Sequence, residues 1–90
     1  MEKKILERLN NLGSYGVIAI KRVPNFGGLI EITKNIYHDY FVIGWDFNYG
    51  MARKGVRCNS AEEVLEFIKT NNINLYSVFY ACDPCLTNGL

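Results

Sequence analysis

The run Tyr40-Phe41-Val42-Ile43-Gly44-Trp45-Asp46-Phe47 has the clearest alternation in the chain, and it limits the possible folds more than any other feature. Successive side chains of a strand point to opposite faces. Phe41, Ile43, Trp45 and Phe47 therefore share one side, while Tyr40, Val42, Gly44 and Asp46 share the other. A strand with an apolar face is stable only in a sheet whose apolar side is covered by a second layer. The uniformly apolar set is expected to face that layer, which leaves Tyr40 and Val42 outward.

The surrounding segments supply both layers. Residues 2–12 place Ile5, Leu6, Leu9 and Leu12 on one helical stripe, with Glu2, Lys3, Lys4, Glu7 and Arg8 on the solvated side. Residues 17–23 are rich in β-branched side chains and stop at Pro24-Asn25 and Gly27-Gly28, the mark of a strand. A second strand is expected over 29–35, turning near Tyr37-His38-Asp39. The alternating run is the third, and a short fourth covers Val56-Arg57-Cys58. Ser60-Ala61-Glu62-Glu63 is a capping box: the serine caps the third helical amide and Glu63 reaches back to the serine amide. Ala61, Val64, Leu65 and Ile68 continue as a helical stripe that Thr70-Asn71-Asn72 ends. Residues 73–81 are predicted as a last strand with Ile73, Leu75 and Phe79 inward and Tyr76, Val78 and Tyr80 outward. The order α-β-β-β-β-α-β predicts a single α+β domain over residues 1–90. It is a two-layer sandwich with a mainly antiparallel sheet and both helices on one face.

Composition narrows the function classes. A chain of 90 residues with 49% hydrophobic and 21% charged residues is ordinary for one globular domain, which argues against disorder. The formal net charge of +1 supplies no global field toward nucleic acid or an anionic membrane. No apolar run approaches the ~20 residues that a membrane-spanning helix requires. The opening residues mix acids and bases without an apolar signal core, and three cysteines fit a reducing compartment. A cytoplasmic location is expected.

Cys82-Asp83-Pro84-Cys85 poses the sharpest chemical question. The stretch V-F-Y-A-C-D-P-C, residues 78–85, resembles the strand-then-cysteines order of the thioredoxin family, whose signature is C-G-P-C. The resemblance implies a redox site whose first cysteine opens a helix, because the helix N-terminus lowers the thiol pKa. Here five residues follow Cys85, among them Asn88 and Gly89, and a turn closing the last strand is the expected outcome. Tracing strand directions brings Cys58, Cys82, Cys85 and His38 to one end of the sheet, a ligand set for a zinc-stabilised module. A closed zinc site needs four ligands in bonding reach. Pairing of the last strand with the first puts Cys58 on the opposite edge. No metal and no cofactor are therefore expected, and Cys58 is read as a small buried hydrophobe.

Catalysis has little to stand on. The sequence has one histidine, no Ser-His-Asp spacing and no glycine-rich phosphate loop of known pattern, so a non-enzymatic role is expected. Arg53, Lys54 and Arg57 form a small basic cluster, a candidate anion contact for nucleic acid or a nucleotide, although three cations release few counterions. The double-stranded-RNA-binding domain is similar in its α-β-β-β-α order, but it opens its second helix with lysines where this chain has Ser60-Ala61-Glu62-Glu63. The outward set Tyr40, Val42, Tyr76, Val78 and Tyr80 makes a tyrosine-rich sheet face, and tyrosine is enriched at protein interfaces. The expected function is a small protein-binding or self-associating module acting through that face, an inhibitor or adaptor of the kind that phages and mobile elements encode. Nucleic-acid or nucleotide binding through Arg53, Lys54 and Arg57 is the first alternative. A zinc-stabilised module using Cys58, Cys82, Cys85 and His38 is the second.

Overall fold

The computed structural model describes residues 1–23, 28–46 and 51–82, excepting the side chains of 21–23, 46 and 51–54. Its elements are α1 (Glu2–Asn10), β1 (Val17–Val23), β2 (Gly28–Lys34), β3 (Tyr40–Asp46), β4 (Met51–Cys58), α2 (Ala61–Thr70) and α3 (Leu75–Cys82). The strands form one antiparallel sheet in the order β1-β2-β3-β4, with helices packed against it. The α+β class and the antiparallel sheet agree with the sequence. The strand expected over 73–81 is instead the helix α3, so the order is α-β-β-β-β-α-α.

Asn74 explains α3. Its Oδ1 accepts the amides of Tyr76 at 2.8 Å and Ser77 at 3.3 Å, and its carbonyl accepts the Val78 amide at 3.2 Å, which closes a first helical turn. Val78 and Cys82 are then buried one turn apart, and Leu75 and Phe79 pack partly against the core. Period-2 alternation through the same segment puts Ser77 inward beside Leu75 and Phe79. Helical spacing leaves Ser77 in water and buries the apolar side chains. The capping box of α2 forms as expected at Ser60, whose Oγ accepts the Glu63 amide at 3.2 Å. Glu63 Oε2 accepts the Asn59 amide at 2.7 Å, one residue earlier than the serine amide.

Which side of the sheet meets the helices is set by the β2–β3 turn. Asn35 Oδ1 accepts the amides of Tyr37 at 2.9 Å and Asp39 at 3.0 Å, while the Asn35 amide donates to the Asp39 carbonyl at 3.0 Å. His38 closes this short loop in the left-handed region, at φ 67°. The turn pairs Lys34 with Tyr40, hence Ile32 with Val42 and Ile30 with Gly44. Directly paired residues share a face. Ile30 and Ile32 are fully buried with Ile20 of β1, so Tyr40 and Val42 go inward with them, each only 2% exposed. Phe41 is 36% exposed, and Ile43 and Trp45 are half-buried on the other side. Alternation alone predicts the reverse; the turn's parity overrules it. Phe47 lies outside the described residues, as do Pro24, Asn25, Gly27 and Cys85.

Tyr40 is polar at its tip, and its burial comes with a partner. Its hydroxyl donates to the Leu9 carbonyl at 2.6 Å. Lys34 Nζ donates to the Asn10 carbonyl at 3.1 Å and lies 5.2 Å from the Tyr40 ring centroid. The last carbonyls of a helix have no partners within it; two side chains of the sheet donate to the end of α1, beside the Leu12 amide that reaches the Leu9 carbonyl at 3.2 Å, and set a cation at its negative pole. α1 packs on α2 and α3, α2 meets β3 and β4, and α3 meets β1.

Candidate functional site

With the helices against the side that carries Ile30 and Ile32, the opposite side of the sheet has no second layer among the described residues. Strand register builds that side row by row. Val17, Thr33, Phe41 and Arg57 align across the sheet, Ala19, Glu31, Ile43 and Gly55 form the next row, and Lys21, Leu29 and Trp45 align in a third. Rows of one face repeat every second residue, roughly 7 Å along the strand. Val17 and Phe41 stand exposed, and Leu29, Ile43 and Trp45 are half-buried. The indole Nε1–H of Trp45 is shielded from solvent and meets no acceptor among the described residues. Sequence reasoning assigns Phe41, Ile43 and Trp45 to the core. The signal that locates them correctly is the pairing parity imposed by the Asn35 turn.

The tyrosine-rich face does not exist as one surface. Tyr40, Val42 and Val78 are core residues. Tyr76 and Tyr80 are exposed, at 62% and 55%, but they project from α3 in the helix layer. Tyr80 stands edge-on to Phe79 with ring centroids 5.7 Å apart, and the Arg8 guanidinium lies 5.4 Å from the centroid of Phe79. Of the basic cluster, Arg57 is exposed on the open face and forms an ion pair with Asp39, which neutralises its charge locally. Arg53 and Lys54 lie on β4, and their side chains are outside the described residues.

The metal and redox candidates separate in the same way. His38 is exposed in the β2–β3 turn, Cys58 ends β4 opposite Tyr40, and Cys82 ends α3. Among the described residues, no group of three or more His, Cys, Asp or Glu side chains is placed to hold a metal ion. Both described thiols are free and buried. Burial pushes the Cys82 thiol up to about 11, against a weaker downward pull from Arg8. Burial, with Glu63 second, also raises the Cys58 thiol. A reactive cysteine needs the opposite shift, and it needs a helix N-terminus. Cys82 lies well past Leu75, the first residue of α3, and so away from that helix's N-terminus.

No helix among the described residues is long and apolar enough to cross a membrane. Compared with protein-family models, with curated proteins and with solved structures, the chain matches none.

Proposed function

We propose that the chain is a non-enzymatic module that binds a protein partner through the open face of its sheet. One observation supports this reading: among the described residues the helices cover a single side, and the other side carries Val17, Leu29, Phe41, Ile43 and Trp45, with Lys21, Glu31 and Arg57 as the charged residues of the same rows. Contiguous apolar patches on a monomer mark interaction sites. Aromatic side chains on rigid strands, surrounded by small and aliphatic neighbours, are the composition of an interface centre. A small module of this kind suits an inhibitor or adaptor, and free thiols at Cys58 and Cys82 suit a reducing, cytoplasmic setting.

The test is capture from a lysate of the source cell with immobilised wild type, with Phe41→Ser, and with a Tyr76→Ser/Tyr80→Ser double variant, each checked for folding by circular dichroism. The partner should be retained by wild type and by the double variant, and lost with Phe41→Ser. Retention by Phe41→Ser with loss on the double variant refutes the reading and moves the site to α3. Release by nuclease or by moderate salt, without dependence on Phe41, favours nucleic acid instead.

A further inference from the structure

The sheet ends in two strands of opposite character. β1 and β4 are its edges, and among the described residues neither has a strand beyond it. Hydrogen-bond phase decides which backbone groups face outward. The Asn35 amide donates to the Asp39 carbonyl, so Thr33, Glu31 and Leu29 turn their backbone groups toward β3. Lys34, Ile32 and Ile30 then turn theirs toward β1, and the Lys34 amide indeed reaches the Gly16 carbonyl at 3.4 Å. Ile18 and Ile20 continue that ladder. Val17, Ala19 and Lys21 are left with N–H and C=O groups directed at the free edge. The same alternation on β4 turns Arg57 and Gly55 outward, with Arg53 in the bulge beside them.

Cations and bulges keep a strand edge from pairing with another chain, and β4 has both. β1 lacks that protection over residues 16–20: Val17 and Ala19 are exposed, no charge occurs, and the bulge comes only after Lys21. The helix beside this edge is equally bare. α3 packs on α1 and β1, and Leu75–Cys82 contains no charged residue. Tyr76 and Tyr80 lie one turn apart on its exposed side, where a solvated helix normally sets charges.

We propose that β1 pairs antiparallel with β1 of a second copy of this chain, about a two-fold axis at Ala19 normal to the sheet. Ala19 then meets its own copy, and Val17 meets Lys21 of the second copy. All three have outward backbone groups, so every pair is hydrogen-bonded. The axis falls on a methyl side chain, where directly paired Cα atoms come within about 5.5 Å. Both helix layers stay on one side, and the two α3 helices flank the junction with uncharged faces together. Four exposed tyrosines and two strand edges bring the contact to the order of 1,000 Å², which a specific interface needs. This surface is separate from the open face: partner capture depends on Phe41, and dimerisation does not.

Sedimentation equilibrium of the intact chain at low salt tests it, with amide exchange on the same samples. A reversible dimer is expected, with the Val17, Ala19 and Lys21 amides slowed in the dimer alone. Ala19→Pro removes only a donor that faces the free edge, and should weaken the dimer roughly tenfold or more. Val17→Lys sets a second cation in the position paired with Lys21 and should weaken it by a similar factor. Val17→Glu sets an anion there and should not weaken it. Tyr76→Ser with Tyr80→Ser should weaken it with circular dichroism unchanged. A chain still monomeric at about 1 mM overturns the inference. A dimer indifferent to Ala19→Pro, or equal effects of Val17→Lys and Val17→Glu, overturns it as well. So does slow exchange of Val17 and Ala19 in the monomer, which means that the same chain covers the edge. A dimer lost with Phe41→Ser and kept by the β1 variants moves self-association to the open face. Should Ala19→Pro fail to fold, the two Val17 variants decide.

Discussion

Tyr40 shows how a single polar atom can hold two layers together. Its ring fills the core while its hydroxyl donates to the Leu9 carbonyl at the end of α1. Tyr40→Phe keeps the ring and removes one of the two donors to that carbonyl, the Leu12 amide at 3.2 Å remaining, at a cost of about 1 kcal/mol. Chemical denaturation of the two proteins checks this, and an unchanged midpoint means that the Leu12 amide alone satisfies Leu9. Cys82 gives a prediction in pH. Its folded thiol titrates at about 11, above its ordinary value of 9.0, so folding favours the protonated form. That contribution is fully present below pH 9 and is lost as pH rises through about 11. Wild type should therefore lose stability over this window, and Cys82→Ala should lose less across the same window. Tyr40, whose hydroxyl burial also shifts upward, keeps its own share of the alkaline loss in both proteins. Parallel slopes for the two proteins contradict a buried thiol at Cys82.

At the scale of elements, legibility follows how many periods a segment can satisfy. α1 and α2 could be read because Ile5 with Leu9, and Val64, Leu65 and Ile68, fit only helical spacing, and Ser60 supplies a start signal. β1, β2 and β3 could be read from β-branched runs between turn residues. β4 is longer than its sequence suggests: Met51–Cys58 contains Gly55 and three cations, and pairing with β3, not propensity, keeps it extended. The inward face of β3 was ambiguous because both of its faces are largely apolar. Only the geometry of the turn from Asn35 to Asp39 resolves it. The segment after Asn72 satisfies two periods at once, and Asn74 decides between them by accepting two amides. Asn74→Ala removes that decision locally and should cost on the order of 1 kcal/mol. The loss should appear as faster amide exchange along α3 than along α2. Uniform exchange in both helices shows that packing of Val78 and Cys82, not the cap, initiates α3.

For the whole molecule, one helix layer on one sheet face means that neighbouring residues of the same strand have very different energetic roles. β3 is the clearest case, because it is central and its two sets of side chains alternate between core and open face. Val42 is enclosed by the helix layer together with Ile30 and Ile32. Val42→Ser removes buried apolar volume and strands a hydroxyl, which together cost on the order of 2–3 kcal/mol. Phe41 and Ile43, one residue to either side, bury only part of their area against sheet neighbours. Phe41→Ser combined with Ile43→Thr should cost only about 1 kcal/mol, since each lost contact is partly solvated already and threonine keeps β-branching. The double variant should therefore be more stable than the single one, and denaturant midpoints of the two measured side by side decide it. The opposite ranking returns Phe41 and Ile43 to the core and removes the open face on which the proposed partner binding rests. The predicted ranking leaves a folded protein with a polar open face, the variant in which loss of binding reports on the face and not on the fold.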